Sequence, residues 1–150
     1  MKKRIDVPSG EVVAGQGDVI LNSIADGPCI VIAAYDASRK VGCIAHASFQ
    51  NGSSQKRFSL SFMRDPDSAI DEMIKDMELL GSDKDHIEVA LVSGENLTPE
   101  EKNHGLGGQV NSMLGLLKQK NIHCRENKYF DAGSFHISLN VGSGEIFYHQ

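Results

Sequence analysis

The chain has 150 residues, 40% of them hydrophobic and 23% charged, with a formal net charge of −5 and a pI near 5.6. Such a length and balance describe a single globular domain, residues 1–150, with apolar surface enough for its own core. An acidic surface argues against a nucleic-acid or anionic-membrane partner, no apolar run reaches the length of a membrane span, and three cysteines without a C-x-x-C pair make no disulfide framework.

The basic start Met1-Lys2-Lys3-Arg4 is not followed by an apolar stretch, so it does not read as a signal peptide. Together with the free thiols, this points to a cytoplasmic setting. Residues 10–15 read as a short strand, and Gly15-Gln16-Gly17 as a loop. A lone G-x-G with no third glycine and no helix behind it is not a nucleotide fingerprint. Residues 19–21 read as a strand ending at Asn22-Ser23.

Residues 30–35 and 41–47 are two β-rich runs on either side of Asp36-Ala37-Ser38-Arg39-Lys40, the pattern of a β-hairpin. Both faces of the first run are apolar, which marks a central strand covered on both sides. With the loop centred on Ala37 and Ser38, Cys29 falls directly opposite His46, at a Cβ separation of roughly 4.5–5.5 Å. Gly27 and Pro28 bend the chain just before Cys29, which is expected to expose the sulfur at a strand end. A thiol held against an imidazole can hand over its proton and become a thiolate nucleophile, with a pKa below the ordinary value of about 8.5. Buried cysteine and satisfied core histidine are also common, and spacing alone leaves both readings open. Cys43 and His46, three apart on a strand, point to opposite faces, so Cys43 reads as a core residue and not as a metal ligand.

Residues 50–56 read as a polar loop, and residues 57–63 as a strand with Phe58, Leu60 and Phe62 on one side. Asp65-Pro66-Asp67-Ser68 opens a helix whose buried stripe is Ile70, Met73, Ile74, Met77 and Leu80, and Gly81 stops it. Residues 87–92 form a strand followed by Ser93-Gly94-Glu95-Asn96. Thr98-Pro99-Glu100-Glu101 has capping-box spacing and suggests a helical turn. Gly105-Leu106-Gly107-Gly108 is expected to break the chain. Residues 109–120 then form a second helix on the stripe Val110, Met113, Leu114 and Leu117. Its glycine-rich start lacks a Walker lysine, so it is not a phosphate loop. Residues 122–125 read as a strand. Residues 135–140 alternate cleanly, and Val141-Gly142-Ser143-Gly144 turns them into residues 145–148, a closing hairpin. His136 falls on the face opposite Phe135 and Ile137. Two helices and about eight strands make an α+β domain.

Gly27-Pro28-Cys29, the apolar strand after it, Tyr35-Asp36, Arg39-Lys40-Val41-Gly42 and Ala45-His46 together resemble the CheD family of chemoreceptor glutamine deamidases. That family carries Gly-Ser-Cys, a strand ending near Asp, a Lys-Val-Gly turn exit and Ala-His at the same distance from the Cys. Its third catalytic residue is a Thr six positions before the Cys, where this chain has Ser23. The resemblance implies Cys29 as nucleophile, His46 as base and Ser23 as the hydroxyl that orients the imidazole, with no cofactor. It implies a three-layer α/β/β sandwich, which the cytotoxic necrotizing factor catalytic domain also resembles, with the helices over one face of the main sheet. It also implies conversion of glutamine side chains to glutamate on a protein such as a chemoreceptor.

The resemblance is good from Val19 to Ala47 and thins in the last third. A family Gly-Gly pair is reduced here to Gly94, and a family Gly-Gly-Asn segment with a nearby Arg is replaced by Lys128-Tyr129-Phe130-Asp131-Ala132-Gly133-Ser134. Those departures support a second expectation, a non-catalytic module that binds a regulator such as a CheC-type phosphatase. The two expectations differ on thiol reactivity. As a nucleophile, Cys29 is expected to react first with limiting iodoacetamide, because Cys43 is buried in a strand and the neighbours of Cys124 point away from its sulfur.

Overall fold

Every residue of the stretch Cys29–Asp36 is buried, and this strand is the centre of the molecule. In the computed structural model, which describes residues 3–8, 10–26, 29–50, 57–58, 66–94, 106–130 and 134–149, ten strands and two helices are found among the described residues. The strands are β1 (Lys3–Asp6), β2 (Val12–Gln16), β3 (Val19–Asp26), β4 (Cys29–Asp36), β5 (Val41–Gln50), β6 (Arg57–Phe58), β7 (Ile87–Gly94), β8 (His123–Phe130), β9 (Ser134–Asn140) and β10 (Glu145–His149). The helices are α1 (Pro66–Leu79) and α2 (Leu106–Gln119), and Lys84–His86 forms a 3-10 turn. The main sheet runs β2-β5-β4-β7-β8, with β6 paired to β5, and the second sheet runs β1-β3-β9-β10.

The apolar pattern of β4 follows from its place between two layers. Ile30, Ile32 and Ala34 face the helices, where Met73, Met77 and Met113 meet them. Val31, Ala33 and Tyr35 face the second sheet, where Leu21, Ile137 and Leu139 meet them. Each large apolar side chain buried in these layers contributes about 1.5–3 kcal/mol relative to exposure. The order of layers is helices, main sheet, second sheet, an α+β arrangement with the helices on one face.

The β4–β5 register differs from the expected one. Asp36 pairs with Val41, so Cys29 lies opposite Ser48, and His46 lies opposite Val31. The turn therefore has four residues between the pair, with Lys40 in the left-handed region at φ 52°. Asp36 sets this turn: its Oδ1 accepts from Ser38 N at 3.0 Å, Ser38 Oγ at 2.6 Å and Arg39 N at 3.3 Å. A side chain that ties down the backbone two and three residues on favours this wider loop over the tighter one. The slip is two residues, so every side chain keeps its face.

Other boundaries move for tertiary reasons. β3 runs on through Ser23 to Asp26 because β9 pairs with it along that whole length. β8 runs on to Phe130 because it pairs in parallel with β7 up to Gly94, which places Lys128-Tyr129-Phe130 in a strand. α2 begins at Leu106 and continues through Gly107 and Gly108, although glycine costs a helix interior up to about 1 kcal/mol. Packing of Met113 and Leu117 on the main sheet supplies what propensity lacks. α1 stops as expected: Gly81 takes φ 100°, and Ser82 N donates to Met77 O at 3.0 Å. The bend at Gly27-Pro28, the loop 51–56, most of the expected strand 57–63, the turn at Thr98-Pro99-Glu100-Glu101 and residues 131–133 lie outside the described residues.

Candidate active site between the two sheets

Alternation along β3 turns Leu21, Ser23 and Ala25 inward, and all three are buried. From the main sheet, β5 sends Ile44 and His46 into the same layer, and His46 is 1% exposed. The backbone of His46 is paired, its N–H donating to Glu11 O at 3.0 Å and its C=O accepting from Gly10 N at 2.8 Å. The ring meets the other sheet: Ser23 Oγ lies 2.8 Å from His46 Nδ1 and donates to Val7 O at 2.9 Å.

That pair of contacts assigns the tautomer. A hydroxyl has one proton, and a carbonyl oxygen can only accept. With its proton on Val7 O, Ser23 accepts from His46, so Nδ1 carries the ring hydrogen and Nε2 the lone pair. Nε2 is buried and has no hydrogen-bond partner among the described residues. Burial holds the His46 pKa below its ordinary 6.5, against a hydrogen bond with the Val7 backbone that acts upward. The ring is thus neutral at neutral pH, its basic nitrogen without a partner among the described residues.

Cys29 opens β4 and lies between Ser48 on β5 and Gly94 on β7. It shares a face with Val31, the partner of His46. Thiol and imidazole are therefore diagonal neighbours on adjacent strands, a relation with a spacing of about 7–8 Å, and are not directly opposite. The structure brings Ser23 and His46 into contact and places Cys29 one diagonal step from them. No helix among the described residues is long and apolar enough to cross a membrane. Among the same residues, no group of three or more His, Cys, Asp or Glu could hold a metal ion.

No family model matches the chain. A probable chemoreceptor glutamine deamidase CheD of Methanococcus maripaludis is 26% identical over 145 residues, covering 95% of this chain and 92% of that protein. A protein of the same description from Archaeoglobus fulgidus is 33% identical over 98 residues, covering 65% of this chain and 59% of that protein, less than two thirds of its length. The chain is CheD-like. Among solved structures, a Neisseria meningitidis protein of the DUF152 family matches the CheD-like chain with a TM-score of 0.50 at 11% identity, covering 87% of this chain and 64% of that one. At that identity the likeness is one of fold alone.

The thiols of the CheD-like chain differ from expectation. Cys29 is 0% exposed, because a strand end covered on both faces has no solvent side, whatever bend precedes it. Burial pushes its pKa up to about 12, a hydrogen bond with the Gly94 backbone acting the other way. The resting pair is thus a neutral thiol and a neutral imidazole, not an ion pair. Cys43 faces the helices and is also pushed up to about 12, by burial and then by Asp76. Cys124 is half-buried. Limiting iodoacetamide is therefore expected to label Cys124 ahead of Cys29 and Cys43, reversing the order expected from sequence. Peptide mapping by mass spectrometry checks it, and early labelling of Cys29 would contradict the buried geometry.

Two residues of this inter-sheet cluster carried little or no sequence signal. Val7 takes the Ser23 proton through a backbone carbonyl, a role open to any residue type. Gly94 stands in the sequence only as the remainder of a family Gly-Gly pair. A Cβ there would sit 2.5 Å from Phe135 Cε1, and Phe135 stacks on Phe130 at 4.9 Å. Glycine beside Cys29 makes room for that aromatic pair.

Proposed function

We propose that the chain is a cytoplasmic protein-glutamine deamidase acting on chemoreceptor-like substrates, with Cys29 as nucleophile, His46 as general base and Ser23 as the positioning hydroxyl. Its kinship with the CheD and cytotoxic necrotizing factor catalytic fold belongs to the same reading. One observation carries it: His46 is fixed through Nδ1 by Ser23, which leaves the lone pair of Nε2 without a partner among the described residues, on the face that holds Cys29. A buried polar atom without a partner costs about 1–3 kcal/mol, a cost that makes sense at a nitrogen kept free to take a proton.

The reaction needs no cofactor. Cys29 Sγ attacks the glutamine carboxamide carbon while His46 Nε2 takes the thiol proton. The tetrahedral intermediate collapses as His46 returns that proton to the amine, and ammonia leaves. Water, deprotonated by His46, then attacks the thioester carbon. The glutamate carboxyl forms, and the thiol recovers its proton. A thiol without exposed surface meets a substrate only when its covering moves, so docking of the protein substrate is part of the cycle.

Incubation with a glutamine-containing chemoreceptor fragment, read by ammonia release and by the Gln-to-Glu mass change, tests the proposal. Absence of turnover across a broad panel of receptor proteins would remove it. Burial of Cys29 favours a second reading, the non-catalytic module that binds a CheC-type regulator. That module would bind the regulator equally well with Cys29→Ala and would release no ammonia.

Ser23 separates positioning from attack. Ser23→Thr keeps an oxygen that can accept from Nδ1 and donate to Val7, and is expected to retain turnover. Ser23→Ala frees the ring to rotate and change tautomer, and is expected to lower kcat by roughly 10-fold or more while substrate binding holds. Equal behaviour of the two variants in steady-state assays would reject the role.

A further inference from the structure

The outer face of the second sheet carries another histidine arrangement, separate from Cys29. β9 and β10 place His136 and His149 directly opposite each other, with ring centres 5.8 Å apart and an interplanar angle of 33°. His136 Nε2 lies 3.3 Å from Ser138 Oγ. Ser138 gives its one proton to Asn22 Oδ1, so towards His136 it can only accept. Nε2 is then the protonated nitrogen, and Nδ1 of His136 keeps the lone pair.

An imidazole whose second nitrogen donates to a fixed oxygen is the usual state of a metal-bound histidine, the outer partner holding both tautomer and ring. Two imidazoles on one tetrahedral ion, with metal–nitrogen distances of about 2.0–2.1 Å, place their ring centres roughly 5.2 Å apart. The 5.8 Å separation found here exceeds that by about 0.6 Å, a gap that rotation of the exposed His149 side chain closes with the strands in place. We propose that His136 and His149 form a two-imidazole site for a divalent first-row transition ion of the nickel, copper or zinc type, the ions that imidazole suits, with water in the remaining positions. A bound ion ties β10, the edge strand of the second sheet, to β9, whose Ile137 and Leu139 face the core.

The test uses untagged full-length protein in a Cys124→Ser background, which removes the half-buried thiol as a competing ligand. Titration with Ni²⁺ by calorimetry is expected to show saturable binding of one ion per chain, with a rise in Tm. His136→Asn and His149→Asn are each expected to weaken binding about tenfold or more, and Ser138→Ala, which keeps both imidazoles but removes the oxygen that accepts from His136 Nε2, by about 10–100-fold. His123→Asn, on β8, is expected to leave it unchanged. His149 is exposed, so its variant keeps the test open should His136→Asn not fold. Imidazole ¹⁵N resonances with Zn²⁺ are expected to move at Nδ1 of His136. Absence of saturable binding, binding that survives in His149→Asn, or a shift confined to Nε2 would each overturn the proposal.

Discussion

Cys29→Ala is expected to abolish glutamine deamidation, and His46→Gln to lower turnover by about 10²–10⁴-fold, the contribution of a positioned general base. The fold is expected to survive the first change with a small loss, since alanine keeps the β-carbon in the inter-sheet layer. The two variants leave different residues of chemistry. Without the thiol there is no acyl intermediate. Without the imidazole the thiol is present but must ionise unaided, and burial pushes its pKa up to about 12. The pH profile carries the sign. Burial holds the His46 pKa below 6.5, so its basic form persists further into acid than an ordinary histidine. The acid limb of kcat/KM is therefore expected below 6.5, and the profile is expected to stay flat through the ordinary thiol range. An acid limb above that value would contradict the lowered His46 pKa, and a rate that climbs with thiol ionisation would show attack by a free thiolate and reject general-base attack. The same His46 burial makes the fold acid-sensitive. A base with a lowered folded pKa contributes stability that is complete above the unfolded value and is lost as pH falls through the folded one.

Asp36→Ala is expected to destabilise the protein by about 2–4 kcal/mol, an effect in the range of broken buried polar networks. Asp36 is 0% exposed and carries two roles. Oδ1 holds the β4–β5 turn, and Oδ2 accepts from Ser82 Oγ at 2.6 Å and Asp83 N at 2.9 Å, just beyond α1. Burial alone would raise its pKa, but hydrogen bonds from Ser38, Ser82, Asp83 and Arg39 prevail and hold it at about 2. A carboxylate lowered in the folded state contributes stability that is complete above its unfolded pKa and is lost as pH falls through the folded one. A shift from about 3.9 to about 2 corresponds to roughly 2–3 kcal/mol. Urea unfolding at neutral pH and again near the folded pKa checks both parts. The wild type is expected to lose this component in acid, and Asp36→Asn to lack it throughout. Asp36→Ala within about 0.5 kcal/mol of wild type would mean that the turn holds without its carboxylate.

By itself, the sequence determined what local pattern can determine. The apolar faces of residues 30–34 announced a strand covered on both sides, and the stripes through Met73 and Met113 announced the two helices, because burial periodicity is written in residue type. Gly81 and the closing hairpin were legible for the same reason, since turn geometry selects glycine and small polar residues. Cys29, His46 and Ser23 stood out as chemistry-bearing residues at a family spacing. The tertiary structure decided how they relate. The β4–β5 register depended on which loop the Asp36 carboxylate stabilises, a choice completed by Ser82 and Asp83 from another part of the chain. The start of α2 and the length of β8 were set by packing and by pairing with β7, which outweigh local propensity. The Ser23–His46 contact spans two sheets, and its hydrogen runs to the carbonyl of Val7, so no pattern within β3 or β5 encodes the tautomer. Nor does residue type encode burial at a strand end. Cys29 loses its solvent because two layers close over it, and that closure, through desolvation, makes the thiol and the imidazole neutral partners.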